Sequence, residues 1–430
     1  MEIGLLFFLL FFFISISVPI GISLGLATLI TMALTSNIPL MMITQTTFSA
    51  LDSFPLMAIP FFIMAGSLMS YGGISRRIIE LANAIIGKVM GGLGMITVLA
   101  SAFFAAISGS GPATVSAIGS MMIPEMEKSG YKKTYATALT CSAGIIGVII
   151  PPSIPFVIYG VITGASIGEL FMAGFLPGIL ITIVLMGMNY FTSKKMGYGQ
   201  VEAESSILVN KGFFRTLRDS FWALLTPIII LGGIYGGIFT PTESAVVAIV
   251  YALIIGKFVY REMNMHILMS TIKDTAVMTG ITLFTIGLSM AFASYLTMEQ
   301  IPNKVATTML GLSENPIVIL LLINVFLLIV GMFIDNISSM TILTPIFLPI
   351  VVALGVDPVH FGVILTLVLS IGFITPPYGA NLFIATAVTN TKIEDLVRPI
   401  FPFIIALILC LIVVTFIPGI SMILPDLLLR

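Results

Sequence analysis

The sequence predicts an all-α polytopic membrane protein built on an inverted repeat, with two re-entrant helical hairpins and two broken helices. Three observations carry this. Apolar residues make up 58% of the 430-residue chain and charged residues only 9%, against about 25% charged in a soluble domain. Almost the whole length runs as continuous apolar stretches of roughly 15 to 25 residues, parted by short charged gaps. A double proline recurs in matching apolar settings, as IGVIIPPS at 146–153 and IGFITPPY at 371–378. Continuous runs exclude a β-barrel, whose strands alternate.

The chain opens MEIGLLFFLLFFF. No basic residue precedes the apolar run, so it reads as a retained membrane segment rather than a signal peptide. Crossings are expected at 3–17, 20–35, 55–70, 134–164, 169–193, 220–239, 241–260, 275–296, 359–389 and 396–417. Two segments differ. Residues 93–126 and 318–353 each hold two apolar pieces of about 15 residues, short for a crossing. Polar breaks divide them, SGSGPATVS at 108–116 and DNISSMT at 335–341. Each reads as a hairpin that enters and leaves on one side. Under this scheme all but Lys304 and Arg430 of the 18 Lys and Arg fall on one face. That face is cytoplasmic by the positive-inside rule, which puts both termini outside.

A single offset of 225 residues relates the halves. It pairs Pro124 with Pro349, Gly130 with Gly355, and Ile146, Gly147 and Ile149 with Ile371, Gly372 and Ile374. Pro151 and Pro152 meet Pro376 and Pro377, Glu169 meets Glu394, and Pro177 meets Pro402. An odd number of crossings separates the copies, so they are inverted. Inverted repeats with broken helices are the architecture of secondary transporters.

The breaks carry the chemistry. A helical N–H bonds the carbonyl four residues back, and proline has no N–H. Pro151 and Pro152 are therefore expected to orphan the carbonyls of Gly147 and Val148, and Pro376 and Pro377 those of Gly372 and Phe373. An orphan carbonyl in hydrocarbon costs several kcal/mol, so water, a hydroxyl or a cation is needed there. Carbonyl and hydroxyl oxygens suit a hard cation such as Na⁺. The first tip adds Ser108, Ser110, Thr114 and Ser116, with Ser110 or Gly111 as helix cap and Pro112 in the first turn. The second adds Asp335, Asn336, Ser338, Ser339 and Thr341. Half-helix N-termini point positive dipole ends inward, toward a place for an anionic substrate. The expectation is two cation sites and one substrate site, with Ser153, Asn336, Tyr378 and Asn381 as polar substrate candidates near the breaks. A lone Pro-Pro reads as a kink and a lone membrane Ser as back-bonded; the twofold repetition tips the balance.

Asp335, the charged residue at a tip, is open between Na⁺ ligand, proton carrier and helix cap. Glu243 reads as a first-turn carboxylate, His266 and His360 as solvated loop-edge residues, and Trp222 and Tyr251 as interfacial anchors. Cys141 and Cys410 read as buried free thiols. An intramembrane serine protease lacks a base at depth, and an aspartyl one lacks a second Asp. No GxxxxGK[ST] is present for an ATP-driven pump.

Four stretches resemble the large, DctM-like membrane subunit of tripartite ATP-independent periplasmic (TRAP) transporters. They are SGSGPATVSAIGSMMIPEM (108–126), IIGVIIPPSIPFVIYG (145–160), GMFIDN with LTPIFLPI (331–350) and SIGFITPPYGANLF (370–383). The resemblance spans essentially the full length. It implies an ion-transporter-superfamily elevator, an importer and not an enzyme. Residues 1–70 and 194–296 would be scaffold, 71–193 and 297–417 the transport domain, and 418–430 a C-terminal tail. It implies Na⁺ as coupling ion at two sites. The first would use Ser108, Ser110, Gly147, Ile150 and Pro152. The second would use Asp335, Ser338, Gly372, Thr375 and Pro377. It further implies a separate small membrane subunit of about four helices and a periplasmic substrate-binding protein as partners, in the bacterial inner membrane. Substrates would be small carboxylates, C4-dicarboxylates or sialic acid, with overall likeness favouring sialic acid. A standalone Na⁺/carboxylate symporter or a Na⁺/H⁺ antiporter of the same fold is the alternative.

Overall fold

The computed structural model describes residues 2–87, 89–198, 212–312, 315–377 and 379–429. Helices account for nearly all of them. Among the described residues, seven helices are long and apolar enough to cross a membrane, and there are eight if Lys133–Ile149 and Ile154–Thr163, bent by 40°, are counted as one broken span. The first two helices, Glu2–Ser15 and Ile20–Thr35, lie where crossings are expected but have only 14 and 16 residues. At 1.5 Å per residue they reach about 21 and 24 Å, short of a hydrocarbon core of about 30 Å.

Both hairpins are present. The first pairs Gly92–Ser108 with Gly111–Lys128, and the second Pro316–Gly331 with Asn336–Ala353. The breaks are tighter than the polar stretches forecast. Only Gly109 and Ser110 stand outside the helices at the first tip, and residues 332–335 at the second. The cause is capping: Ser110 and Asp335 start their half-helices through side-chain bonds to N–H groups three residues on, so the hydroxyls that follow are already helical. Asn336–Ala353 passes the length and composition test for a crossing, yet it forms the second arm of a hairpin and two-thirds of its window is buried.

The repeat recurs in the backbone. Gly130 and Gly355 take left-handed φ values of 84° and 81° after their hairpins, a conformation cheap for glycine. Tyr131 N–H bonds the Met126 carbonyl, and Val356 N–H bonds that of Val351, again 225 residues apart. Packing between halves is reciprocal. Gly111–Lys128 packs on Ala380–Thr389, and its counterpart Asn336–Ala353 packs on Ile154–Thr163. Lys133–Ala143 packs on Ile393–Phe416, and its counterpart Pro358–Gly372 packs on Ile167–Met196. Such an exchange is what a pseudo-twofold axis produces.

Several elements depart from the sequence reading. Met41–Leu51, Ile74–Ile86 and Ile301–Leu312 are helices outside the expected spans. Ile74–Ile86 forms because Ile74, Ile78, Ile79 and Ala82 make one buried face at helical spacing. The C-terminal segment is not a tail: Gly419–Leu428 is a helix packed on Ile167–Met196 and Pro358–Gly372. It also corrects His360. Instead of facing solvent, His360 is buried, with Nδ1 2.6 Å from Ser421 Oγ and Nε2 3.3 Å from the Thr415 carbonyl. His266 is exposed, as expected. Glu243 completes a capping box with Thr240, Tyr251 OH donates to the Trp222 carbonyl at 2.7 Å, and both cysteines are buried and free.

Gly372 meets Gly331 backbone to backbone, leaving no room for a side chain. Gly372→Ala should destabilise the protein by roughly 1–3 kcal/mol through overpacking. Gly187→Ala, in a helix interior with open space at its Cβ, should be neutral or stabilising by up to about 1 kcal/mol. Thermal unfolding in one detergent checks both.

Candidate functional site: two junctions of hairpin tip and broken helix

Each junction joins a capped half-helix to a helix interrupted at a proline pair. At the first tip Gly109 turns the chain with φ 62°. Ser110 Oγ then accepts the Ala113 N–H at 3.4 Å, with Pro112 in the first turn. At the second tip Asp335 Oδ2 accepts the Ser338 N–H at 3.0 Å. The two caps, Ser110 and Asp335, are themselves 225 residues apart. Helix cap is thus one role of Asp335 that its geometry displays. The Pro151–Pro152 and Pro376–Pro377 bonds are both cis.

The first junction is closed by direct contact. Ile154 N–H, just past the proline pair, donates to the Gly109 carbonyl at 3.2 Å. Gly147 lies so close beneath the tip that a Cβ there would stand 2.7 Å from the Ser110 carbonyl oxygen and closer still to Thr114 Oγ1. Thr114 Oγ1 donates to the Ser110 carbonyl at 2.8 Å and sits 3.2 Å from Ser108 Oγ. A Cβ on Gly109 would stand 2.6 Å from the Pro152 carbonyl oxygen. Ser108, Ser110, Gly147 and Pro152 therefore come together, with Thr114 as a further oxygen. Ile150 lies in the break with extended backbone, its side chain against Gly178. Ser116 is exposed and faces away.

The second junction is looser. Gly331 abuts Gly372, and Asn336 Nδ2 donates to Ser370 Oγ at 3.1 Å. Ser338 is fully buried, and its Oγ has no hydrogen-bond partner among the described residues. Thr375 Oγ1 donates to the Ile371 carbonyl at 2.8 Å. No hydrogen bond among the described residues joins Asp335 or Ser338 to Thr375 or Pro377.

The expected set of orphan carbonyls needs correction. Ser153 Oγ donates to the Val148 carbonyl at 2.6 Å. Thr375 N–H donates to Gly372 and Asn381 N–H to Phe373, each at 3.0 Å. These three oxygens are satisfied by donors on either side of the proline pairs: Thr375 tightens the last turn before the second pair, and Ser153 and Asn381 reach back from beyond the first and second. Among the described residues, Gly147 is the one of the four to which no donor is seen. A carbonyl has two lone pairs, so one hydrogen bond does not bar a second contact.

The substrate candidates are placed as follows. Ser153 is buried and occupied twice, as donor to Val148 and as cap of Ile154–Thr163. Asn381 is buried; its Nδ2 donates to the Cys141 carbonyl at 3.1 Å, tying the second broken helix to the first. Tyr378 lies outside the described residues. With their amides donating, Asn336 and Asn381 each leave a buried Oδ1 without a donor. Asn381 Oδ1 points at the first tip, beside Gly111. An acceptor oxygen repels a carboxylate and suits a cation, so both residues fit ion binding better than anion binding. Among the described residues no three His, Cys, Asp or Glu side chains gather, so oxygens of carbonyls, hydroxyls and amides are what the junctions offer a cation. Thr114 had a usable signal, since it lies four residues after Ser110 and shares its helix face. The Asn381 clasp had none, because it joins residues 240 apart.

Comparison with known proteins accords with this architecture. The family model described as "Tripartite ATP-independent periplasmic transporter, DctM component" matches residues 7–420. The chain is 47% identical over 408 residues to the isethionate TRAP transporter permease protein DctMQ of Oleidesulfovibrio alaskensis, covering 95% of this chain and 64% of that longer relative. It is 41% identical over 404 residues to the C4-dicarboxylate TRAP transporter large permease protein DctM of Pseudomonas aeruginosa, covering 94% of each. It is 38% identical over 409 residues to the sialic acid TRAP transporter large permease protein SiaM of Vibrio cholerae, covering 95% of each. In fold it is similar to the YdaH transporter of Alcanivorax borkumensis, with a TM-score of 0.63, 15% identity and coverage of 87% and 86%. With its two hairpins, two proline breaks and near full-length match, the chain belongs to the DctM component family of tripartite ATP-independent periplasmic transporters, membrane permease subunits and not enzymes.

Proposed function

We propose that this chain is the carrier subunit of a Na⁺-coupled importer of small organic acid anions. The first junction carries this reading. Ser108, Ser110, Thr114, Gly147 and Pro152 bring oxygens of a hard-cation ligand set to one place, and among the described residues the Gly147 carbonyl has no donor. The second junction supports a second ion through Asp335, Ser338, Gly372, Thr375 and Pro377, joined by the free Oδ1 of Asn336. Relatives named for a sulfonate, C4-dicarboxylates and a sialic acid support a small acid as substrate and single out none of the three. Substrate would rest between the tips, near Ser153. Energetics permit uphill import. Each positive charge moved inward gains about 2.3 kcal/mol per 100 mV, so two Na⁺ with one monoanion move one net charge down the potential.

The mechanism that fits is an elevator, with the hairpins and broken helices as the moving unit and residues 1–70 and 194–296 as scaffold. An apolar cavity of about 210 Å³ lies on the seam between them, lined by Ser49, Leu56 and Ile286 on one side and Ile158 and Ile162 on the other. Sliding along such a seam breaks few hydrogen bonds. Ile74–Ile86 would bridge the two: it packs on Gly92–Ser108 of the first hairpin and on Phe213–Tyr235 of the scaffold, where Arg77 pairs with Glu262 at 2.8 Å and its carbonyl accepts from Ser220 Oγ at 2.9 Å. In the membrane the chain would have both termini on the periplasmic face of the inner membrane. A separate small membrane subunit and a periplasmic binding protein would complete the transporter, as the fused permease DctMQ and the family description suggest.

Proteoliposomes holding the carrier, the small subunit and the binding protein test this. Replacing Na⁺ with choline should abolish uptake; undiminished uptake would remove the coupling ion. Uptake by the carrier alone would favour a standalone symporter. Ser110→Ala and Asp335→Ala should each raise the half-saturating Na⁺ concentration about tenfold, the equivalent of about 1.4 kcal/mol. An unchanged Na⁺ dependence in both variants would remove these residues from the ion sites.

A further inference from the structure

Away from both junctions, a cavity of about 430 Å³ opens among Arg76, Arg77, Arg218 and Trp222, with the carboxylates Glu80 and Asp219 also in its lining. Three elements wall it: Ile74–Ile86, the start of Phe213–Tyr235, and the turn Ile255–Val259 with Tyr260. The candidate spans Phe54–Tyr71, Phe213–Tyr235 and Pro241–Val259 each have an end beside it. The cavity therefore sits at the membrane boundary, on the face rich in Lys and Arg.

Its inner wall is rigid. Arg77 Nη1 bonds Glu262 Oε1 at 2.8 Å and the Gly73 carbonyl at 2.7 Å, and its guanidinium lies 3.6 Å from the Tyr260 ring centroid. Its mouth is not. Arg76 is half exposed, with a single contact of 3.4 Å to Glu80. Arg218 is exposed, with no carboxylate in ion-pair reach among the described residues. The lining holds three arginines (Arg76, Arg77, Arg218) against two carboxylates (Glu80, Asp219), and Arg215 and Lys257 stand on the same wall segments. Guanidinium forks match phosphate oxygens bidentately. Trp222 and Val259 form an apolar rim on one side, each 40% exposed, and their chain neighbours Phe221 and Phe258 are 51% and 66% exposed. A soluble phosphate has no use for such a rim, whereas acyl chains do.

We propose that this cavity is a headgroup site for an anionic phospholipid of the cytoplasmic leaflet. Arg76 and Arg218 grip the phosphodiester, and Trp222, Phe258 and Val259 receive the chains. The lipid would pin Ile74–Ile86 to the scaffold helices, independently of ion coupling.

The test is native mass spectrometry of the delipidated full chain with added phosphatidylglycerol or phosphatidylcholine, alongside thermal unfolding with each lipid and with inorganic phosphate. Wild type should retain phosphatidylglycerol over phosphatidylcholine. The double variant Arg76→Gln/Arg218→Gln should lose that retention about tenfold, and Arg218→Lys, which keeps charge but not the fork, should lose part of it. Lys128→Gln, remote from the cavity, should match wild type. Both arginines are exposed, so the fold should survive; Arg218→Lys alone suffices if it does not. Retention by the double variant equal to wild type, or equal binding of phosphatidylcholine, overturns the proposal. Stabilisation by inorganic phosphate equal to that by phosphatidylglycerol assigns the cavity to a soluble anion and overturns the lipid.

Discussion

The structure turns on how a backbone broken at membrane depth keeps its polar groups satisfied. Lipid offers no hydrogen bonds, and proline withholds its own. The chain answers by laying a capped hairpin tip onto each break, close enough that only glycine fits at Gly147 and Gly372. At the first junction the tip also accepts a backbone bond, from Ile154 to Gly109.

The two junctions are copies in plan and unequal in detail. The Ser110 and Asp335 caps, the proline pairs and Gly130 with Gly355 all keep the 225-residue offset. Chemistry between them has diverged. The first is hydroxyl-rich and sealed by a backbone bond. The second carries a carboxylate, and among the described residues the buried oxygens of Ser338 and Asn336 have no donors. Reciprocal packing couples them, since Asn381 of the second half clasps Cys141 of the first and presents its free oxygen to the first tip. An event at one junction has a short covalent and packed route to the other.

Much of this was legible in the sequence because the signals are local. Hairpin arms, proline breaks, the Ser110 cap and the first-turn carboxylate Glu243 follow from run length, imino acids and helix-start chemistry within a few residues. What was not legible depends on distant partners. His360 reads as solvated until Gly419–Leu428 folds over it, and that helix is too short and too interrupted by Pro425 to announce itself. Proline spacing identified which carbonyls lose an i+4 donor; it could not reveal that Ser153, Thr375 and Asn381 would replace three of them. The same blindness hid the polarity of Asn336 and Asn381, each of which donates an amide hydrogen inside the protein, to Ser370 and to the Cys141 carbonyl.

A density map of the complex in lipid, determined once in NaCl and once in choline chloride, tests the ion assignment most directly. The account expects a peak in Na⁺ alone, bounded by the Gly147 and Ser110 carbonyls and the hydroxyl of Thr114. A Gly147 carbonyl held by water or a side chain in both maps, with no Na⁺-dependent peak, would contradict it.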